Sequence, residues 1–136
     1  MTTLMLTLAV LAQAPDVTQM YDLTTDGSSA KVKVGEKGKV VLEIKAKSGA
    51  HISDEAPLRI ELKATGAKVE KDKLVYKDSV GAKKTGQDYA DPRFEVPFSA
   101  DTAGKASIEA KMKFFVCTDK VCAPQTKTVT IPVDVI

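Results

Sequence analysis

Lys105-Ala-Ser-Ile-Glu-Ala-Lys-Met-Lys-Phe-Phe-Val-Cys117 and Cys122-Ala-Pro-Gln-Thr-Lys-Thr-Val-Thr-Ile-Pro-Val-Asp-Val135 are two long alternating runs, separated by Thr118-Asp-Lys-Val121. In the first, Ala106, Ile108, Ala110, Met112, Phe114 and Val116 alternate with Lys105, Ser107, Glu109, Lys111 and Lys113. A period of two, with one apolar and one charged face, predicts a strand that lies half on a core and half in water. In the second run, Val129, Ile131, Val133 and Val135 alternate with Thr126, Thr128, Thr130 and Asp134. Extending both phases places Phe115, Cys117 and Cys122 on the wet face. The four-residue connection is a common hairpin length and sets the only two cysteines opposite each other at its mouth. Facing positions of an antiparallel pair lie within the Cα separation that a disulfide spans.

The same alternation recurs upstream. Val40, Leu42, Ile44 and Ala46 alternate with Val41, Glu43, Lys45 and Lys47, which places Val41 on the outer face, and Gly35-Glu-Lys-Gly38 predicts a hairpin back to Lys31–Val34. Leu58, Ile60, Leu62 and Ala64 mark another strand, as do Phe94, Val96 and Phe98. Val17–Leu23, Val69 and Leu74–Tyr76 are shorter candidates, and Ser79–Pro92 reads as a long mobile loop. No stretch keeps a helical period over three turns. About seven or eight short strands divided by turn signals predict an all-β chain, a single-domain immunoglobulin-like β-sandwich over residues 17–136. The Trp of antibody domains is absent.

With 136 residues, the chain has material for one core. Its formal charge of +2 is nearly balanced, and Arg59 and Arg93 are its only arginines. Nucleic-acid recognition favours clustered Arg forks with aromatic platforms, so that class is set aside. Leu4–Ala12 is an apolar run of signal-peptide length followed by small residues. Cleavage after Ala12 would leave an exported, soluble protein in a compartment where a disulfide persists. The run is too short to span a bilayer, so stable membrane insertion is not expected.

Phe94-Glu-Val-Pro-Phe98, Thr102-Ala-Gly104, a strand ending in Cys117, then Cys122-Ala-Pro124 and a Thr/Val-rich final strand resemble the N-terminal periplasmic domain of the thiol:disulfide interchange protein DsbD and its disulfide-bond corrector relatives. Gly49-Ala-His51-Ile52 before Leu58-Arg-Ile60 resembles the segment that lies beside the cysteine loop there. The resemblance spans Val32–Val135 and implies a periplasmic module of immunoglobulin-like fold that relays electrons through a cysteine pair. Its partners would be thioredoxin-fold or membrane thiol:disulfide proteins, with no cofactor. By position, it makes Cys122 the partner-linking nucleophile and Cys117 the resolving thiol. The loop is one residue shorter than in that family. The family's aromatic cap over the pair has no clear counterpart, with Leu74 and Tyr76 the residues available for that place.

Candidate site residues are thus Cys117 and Cys122, with His51, Phe115, Asp119, Lys120 and Pro124 lining the site. Lys120 favours a thiolate and Asp119 opposes it. Phe115 offers an apolar contact to a docking partner, or is one scattered surface aromatic. His51, the sole histidine, either tunes the thiols or hydrogen-bonds a turn. A metal site built on His51 and the two thiols lacks a fourth ligand. The alternative function is a non-catalytic immunoglobulin-like binding or accessory module whose bridge only pins a hairpin. Closing so short a loop stabilises by about 2 kcal/mol through chain entropy.

Overall fold

The computed structural model describes residues 16–83 and 86–136; the leader-like stretch 1–12 lies outside them. Ten strands follow in order: β1 (Tyr21–Thr24), β2 (Lys31–Val32), β3 (Lys37–Ala46), β4 (His51–Ile52), β5 (Arg59–Thr65), β6 (Lys68–Val69), β7 (Lys73–Val75), β8 (Arg93–Ser99), β9 (Gly104–Cys117) and β10 (Cys122–Val135). Single 3₁₀ turns occupy Val17–Gln19 and Tyr76–Asp78, and the described residues contain no α-helix. One sheet has the order β1-β3-β8-β6 and the other β2-β10-β9-β5-β7, with β4 added beside β9. The two pack face to face as an immunoglobulin-like sandwich. No helix among the described residues is long and apolar enough to cross a membrane.

The alternation in β9 dictates which face is covered. Ala106, Ile108, Ala110, Met112, Phe114 and Val116 are all buried, and they meet Val40, Leu42 and Ile44 of β3 and Phe94, Val96 and Phe98 of β8 in one core. The β9–β10 ladder runs without a bulge from Cys117↔Cys122 to Gly104↔Val135. An unbroken register is what period-two sequences on both strands require, since a slip of one residue would turn every apolar side chain outward.

Two strands depart from expectation. β2 does not fold back on β3. It joins the opposite sheet, parallel to the end of β10, with Lys31 beside Asp134 and Val32 beside Val135. The Gly35–Gly38 segment does reverse the chain, with Glu36 N–H donating to the Lys33 carbonyl. Val34 N–H, however, donates to the carbonyl of Ile136 and Gly35 N–H to that of Ala100, so the turn carries the chain from one sheet to the other. Val41, on the polar phase of β3, is also fully buried. The turn after β1 folds over it: Ser28 Oγ accepts from Val41 N–H at 2.8 Å, and Gly27, at φ +94°, sits against the Val41 side chain.

Tyr21 and Gln125 close the sandwich beneath the cysteine hairpin. The Tyr21 hydroxyl donates to Gln125 Oε1 at 3.1 Å, and the Tyr21 ring meets Phe114 edge-on, centroids 5.1 Å apart. This joins β1 of one sheet to β10 of the other. Burial pushes the Tyr21 phenol above its usual pKa, which keeps it a donor.

Candidate functional site

The β9–β10 connection is a tight turn in which Thr118 N–H donates to the Val121 carbonyl at 2.7 Å. Thr118 Oγ1 accepts from Lys120 N–H and Val121 N–H. The Thr hydroxyl thus organises the loop that Asp119 and Lys120 expose at its tip. With residues 118 and 121 as the hydrogen-bonded pair, Cys117 and Cys122 form the closely spaced pair one step in. Their Cα atoms are 4.0 Å apart and the sulfurs are bonded.

The next strand supplies the third member of the row. β4 pairs with the end of β9 so that His51 lies opposite Cys117 and Ile52 opposite Val116. Directly paired residues share a face. Val116 and Ile52 are buried inward, so Cys122, Cys117 and His51 stand side by side on the outer face. The turn that delivers β4 requires Gly49, whose φ of +86° would strain any other residue.

The outward phase of Cys117 is as expected, but its exposure is not. Cys117 is only 3% exposed, whereas Cys122 is open to solvent. Cys122 flanks Cys117 on one side and His51 on the other. Tyr89 then lies flat on the imidazole, with centroids 3.8 Å apart and planes within 6°. Tyr89 comes from the Ser79–Pro92 loop, whose neck is stitched to the sheet. Val80 N–H donates to the Arg93 carbonyl, Ser79 Oγ accepts from Arg93 N–H, and Asp91 Oδ1 accepts from Ala46 N–H. Among the described residues, the aromatic next to the pair's row is therefore Tyr89. Leu74 is in the core and Tyr76 packs against it from a 3₁₀ turn. Tyr89 is the one aromatic between Tyr76 and Phe94. That isolation in a polar loop was the signal available in the sequence.

The neck of this loop leaves no room for a side chain at Gly81. A Cβ there would lie 2.0 Å from the Asp91 carbonyl oxygen. Gly81→Ala is expected to push the two loop ends apart at a cost of about 1–3 kcal/mol. It should also loosen Tyr89 from His51. The loss of upfield ring-current shifts on the His51 ring protons, measured by NMR, checks this.

Between the loop and the β3–β4 turn lies an open cleft of about 650 Å³, lined by His51, Tyr89, Asp88, Asp91 and Asp119 among others. On the other side of the bridge, one row further along the sheet, Phe115 pairs with the exposed Pro124. Together with Pro57, Arg59 and Lys113 they bound a shallow groove of about 270 Å³. The structure thus gathers Cys117, Cys122, His51, Phe115 and Pro124 on one face, with Asp119 at the cleft rim. Lys120 stays at the exposed tip. Among the described residues, no three His, Cys, Asp or Glu side chains converge as metal ligands.

No family model matches this chain, and no curated protein matches it. Solved structures with a similar fold include a conjugative transposon lipoprotein from Bacteroides eggerthii (9% identity, TM-score 0.46, covering 85% of this chain and 97% of that one). A cohesin module from a Clostridium perfringens family 33 glycoside hydrolase shows 8% identity and a TM-score of 0.42, covering 85% and 94%. The ASH/PapD-like domain of human CEP192 shows 10% identity and a TM-score of 0.41, covering 99% and 98%.

Proposed function

We propose that this chain is an exported immunoglobulin-like binding or accessory module in which the Cys117–Cys122 bridge pins the β9–β10 hairpin. The observation that carries this reading is the enclosure of Cys117. At 3% exposure between Cys122 and His51, its sulfur is closed to an approaching thiol, and the turn beyond it is already held by Thr118. A bridge of this kind holds the outer-face row of Cys122, Cys117 and His51 in register and supports the groove beside Phe115 and Pro124. On this reading the bridge resists a glutathione buffer. Replacing both cysteines with Ser lowers stability by about 2 kcal/mol without changing the fold. Denaturant melts of the two forms, with alkylation of the native protein in the glutathione buffer, provide the test. Ready reduction under those conditions sinks it.

A second reading, a thiol:disulfide relay, is favoured by the exposure of Cys122. Exchange needs one accessible sulfur and a leaving thiolate. A dithiol partner of the thioredoxin-fold class would attack Cys122 Sγ, form a mixed disulfide and release Cys117 as thiolate. The partner's second thiol would then attack its own mixed-disulfide sulfur and release Cys122, so two electrons enter this chain and the partner becomes oxidised. Cys117→Ala leaves Cys122 free and should trap that mixed disulfide in envelope extracts. If Cys117→Ala forms no adduct and Cys122→Ala only lowers the melting temperature, the relay is excluded.

A further inference from the structure

β10 is 14 residues long, yet among the described residues only its last two have a strand partner on the side away from β9. The direction of each backbone group along it follows from the register. Cys122 pairs with Cys117 as a non-hydrogen-bonded pair, and the ladder continues without a bulge, so odd-numbered residues of β10 bond to β9 and even-numbered ones point away. The observed bonds agree: Asp134 N–H donates to Ala30 O and Ile136 N–H to Val32 O, both on the β2 side. The outward-pointing residues of the uncovered part are therefore Cys122, Pro124, Thr126, Thr128, Thr130 and Pro132.

Both ends of this open stretch are closed to pairing. Pro124 and Pro132 have no N–H to offer, and the Pro124 carbonyl already accepts from its neighbour's side chain, Gln125 Nε2, at 2.7 Å. Between them, Thr126, Thr128 and Thr130 are exposed. Among the described residues no strand pairs with them on that side. Prolines on an edge strand limit uncontrolled association. Here they frame a short window rather than cover the edge.

That window is self-complementary. Read in either direction, its outward-pointing residues are Pro, Thr, Thr, Thr, Pro. We propose that two copies of this chain pair antiparallel through β10, about a two-fold axis at Thr128. Thr126 of each copy then faces Thr130 of the other, Thr128 faces itself, and proline faces proline. Three facing pairs of this kind exchange about six N–H···O bonds, at two per pair. The threonines stack as cross-strand Thr–Thr pairs on the outer face, and Lys127 faces Val129 rather than another charge. Moving the axis to Lys127 opposes Lys127 with itself and sets Thr130 against Pro124. Moving it to Val129 sets Thr126 against Pro132. One register alone satisfies the edge, and an isologous contact needs this kind of self-matching surface. The contact is small, so the dimer is weak and forms with rising concentration. It is independent of whether the bridge is structural or redox-active.

Sedimentation equilibrium over roughly 10 µM to 1 mM should show a monomer–dimer transition for the wild type. Thr128→Pro, which removes an outward N–H and no bond to β9, should stay monomeric with an unchanged circular dichroism spectrum. Single cysteines introduced at the edge test the register even if that variant fails to fold. Under mild oxidation Thr128→Cys should cross-link to itself. Thr126→Cys should not, while a mixture of Thr126→Cys and Thr130→Cys should. A wild type that is monomeric throughout, or a dimer that cross-links equally well through Thr126→Cys alone, overturns the proposal. Hydrogen-exchange protection of the Thr126, Thr128 and Thr130 amides in a monomer would assign the edge to this chain's own residues and overturn it equally.

Discussion

Phe114→Ala is expected to lower the unfolding free energy by about 3–5 kcal/mol, while Phe115→Ala, one residue along, should change it by about 1 kcal/mol or less. The two rings differ only in phase. Phe114 is 1% exposed, packs edge-on against Tyr21 and lies in the core beneath the cysteine hairpin. Its removal leaves a cavity that the surrounding strands cannot close, because Tyr21 is held by Gln125 across the two sheets. Phe115 is half-buried on the outer face and borders only the shallow groove with Pro57 and Pro124. Urea melts of both variants check the contrast. Similar losses from the two substitutions would mean that the phase of β9 is wrong.

Gly38→Ala should cost about 3 kcal/mol, the upper part of the range for overpacking a core. Gly38 has an ordinary negative φ, so alanine brings no backbone strain; the penalty is purely one of space. A Cβ there would lie 2.5 Å from Phe98 Cζ and 2.7 Å from Val32 Cγ1. Phe98 belongs to one sheet and Val32 to the other. The methyl group would therefore push on both layers. Val32→Ala removes one of the two obstructions, so the double variant should lose less than the sum of the single ones. Strict additivity in thermal or urea melts would show that Val32 and Gly38 do not meet.

Much of this architecture was legible in local periodicity. β9, β10, β3, β5 and β8 each keep one face apolar over several residues, and that pattern fixes both strand type and inward face. What periodicity does not carry is the partner. Gly35 to Gly38 has the composition of a hairpin, but whether a turn returns to its own sheet or crosses to the facing one depends on where Ile136 and Ala100 offer carbonyls. The site shows the same division. Alternation and loop length placed Cys117 and Cys122 opposite each other on the outer phase. The row beside Cys117, however, is built by the two-residue strand β4, which sets His51 against it, and by Tyr89, which reaches His51 from a loop some thirty residues upstream of the bridge. Neither has a repeating pattern. Val41 departs from its outward phase for a similar reason, since its cover comes from the Asp26-Gly27-Ser28 turn rather than from its own strand.

The short parallel pairing of β2 with the end of β10 gives the molecule a mechanical character. Pulling Ile136 away from the segment that precedes Lys31 would slide these two strands along each other. The bonds from Asp134 N–H to Ala30, Ile136 N–H to Val32 and Val34 N–H to Ile136 would then bear the load in shear, and must break together. An antiparallel strand peeled from its end instead unzips one bond at a time. Residues 30–34 and 134–136 thus act as a latch, clasped side by side so that stretching between them loads several bonds at once.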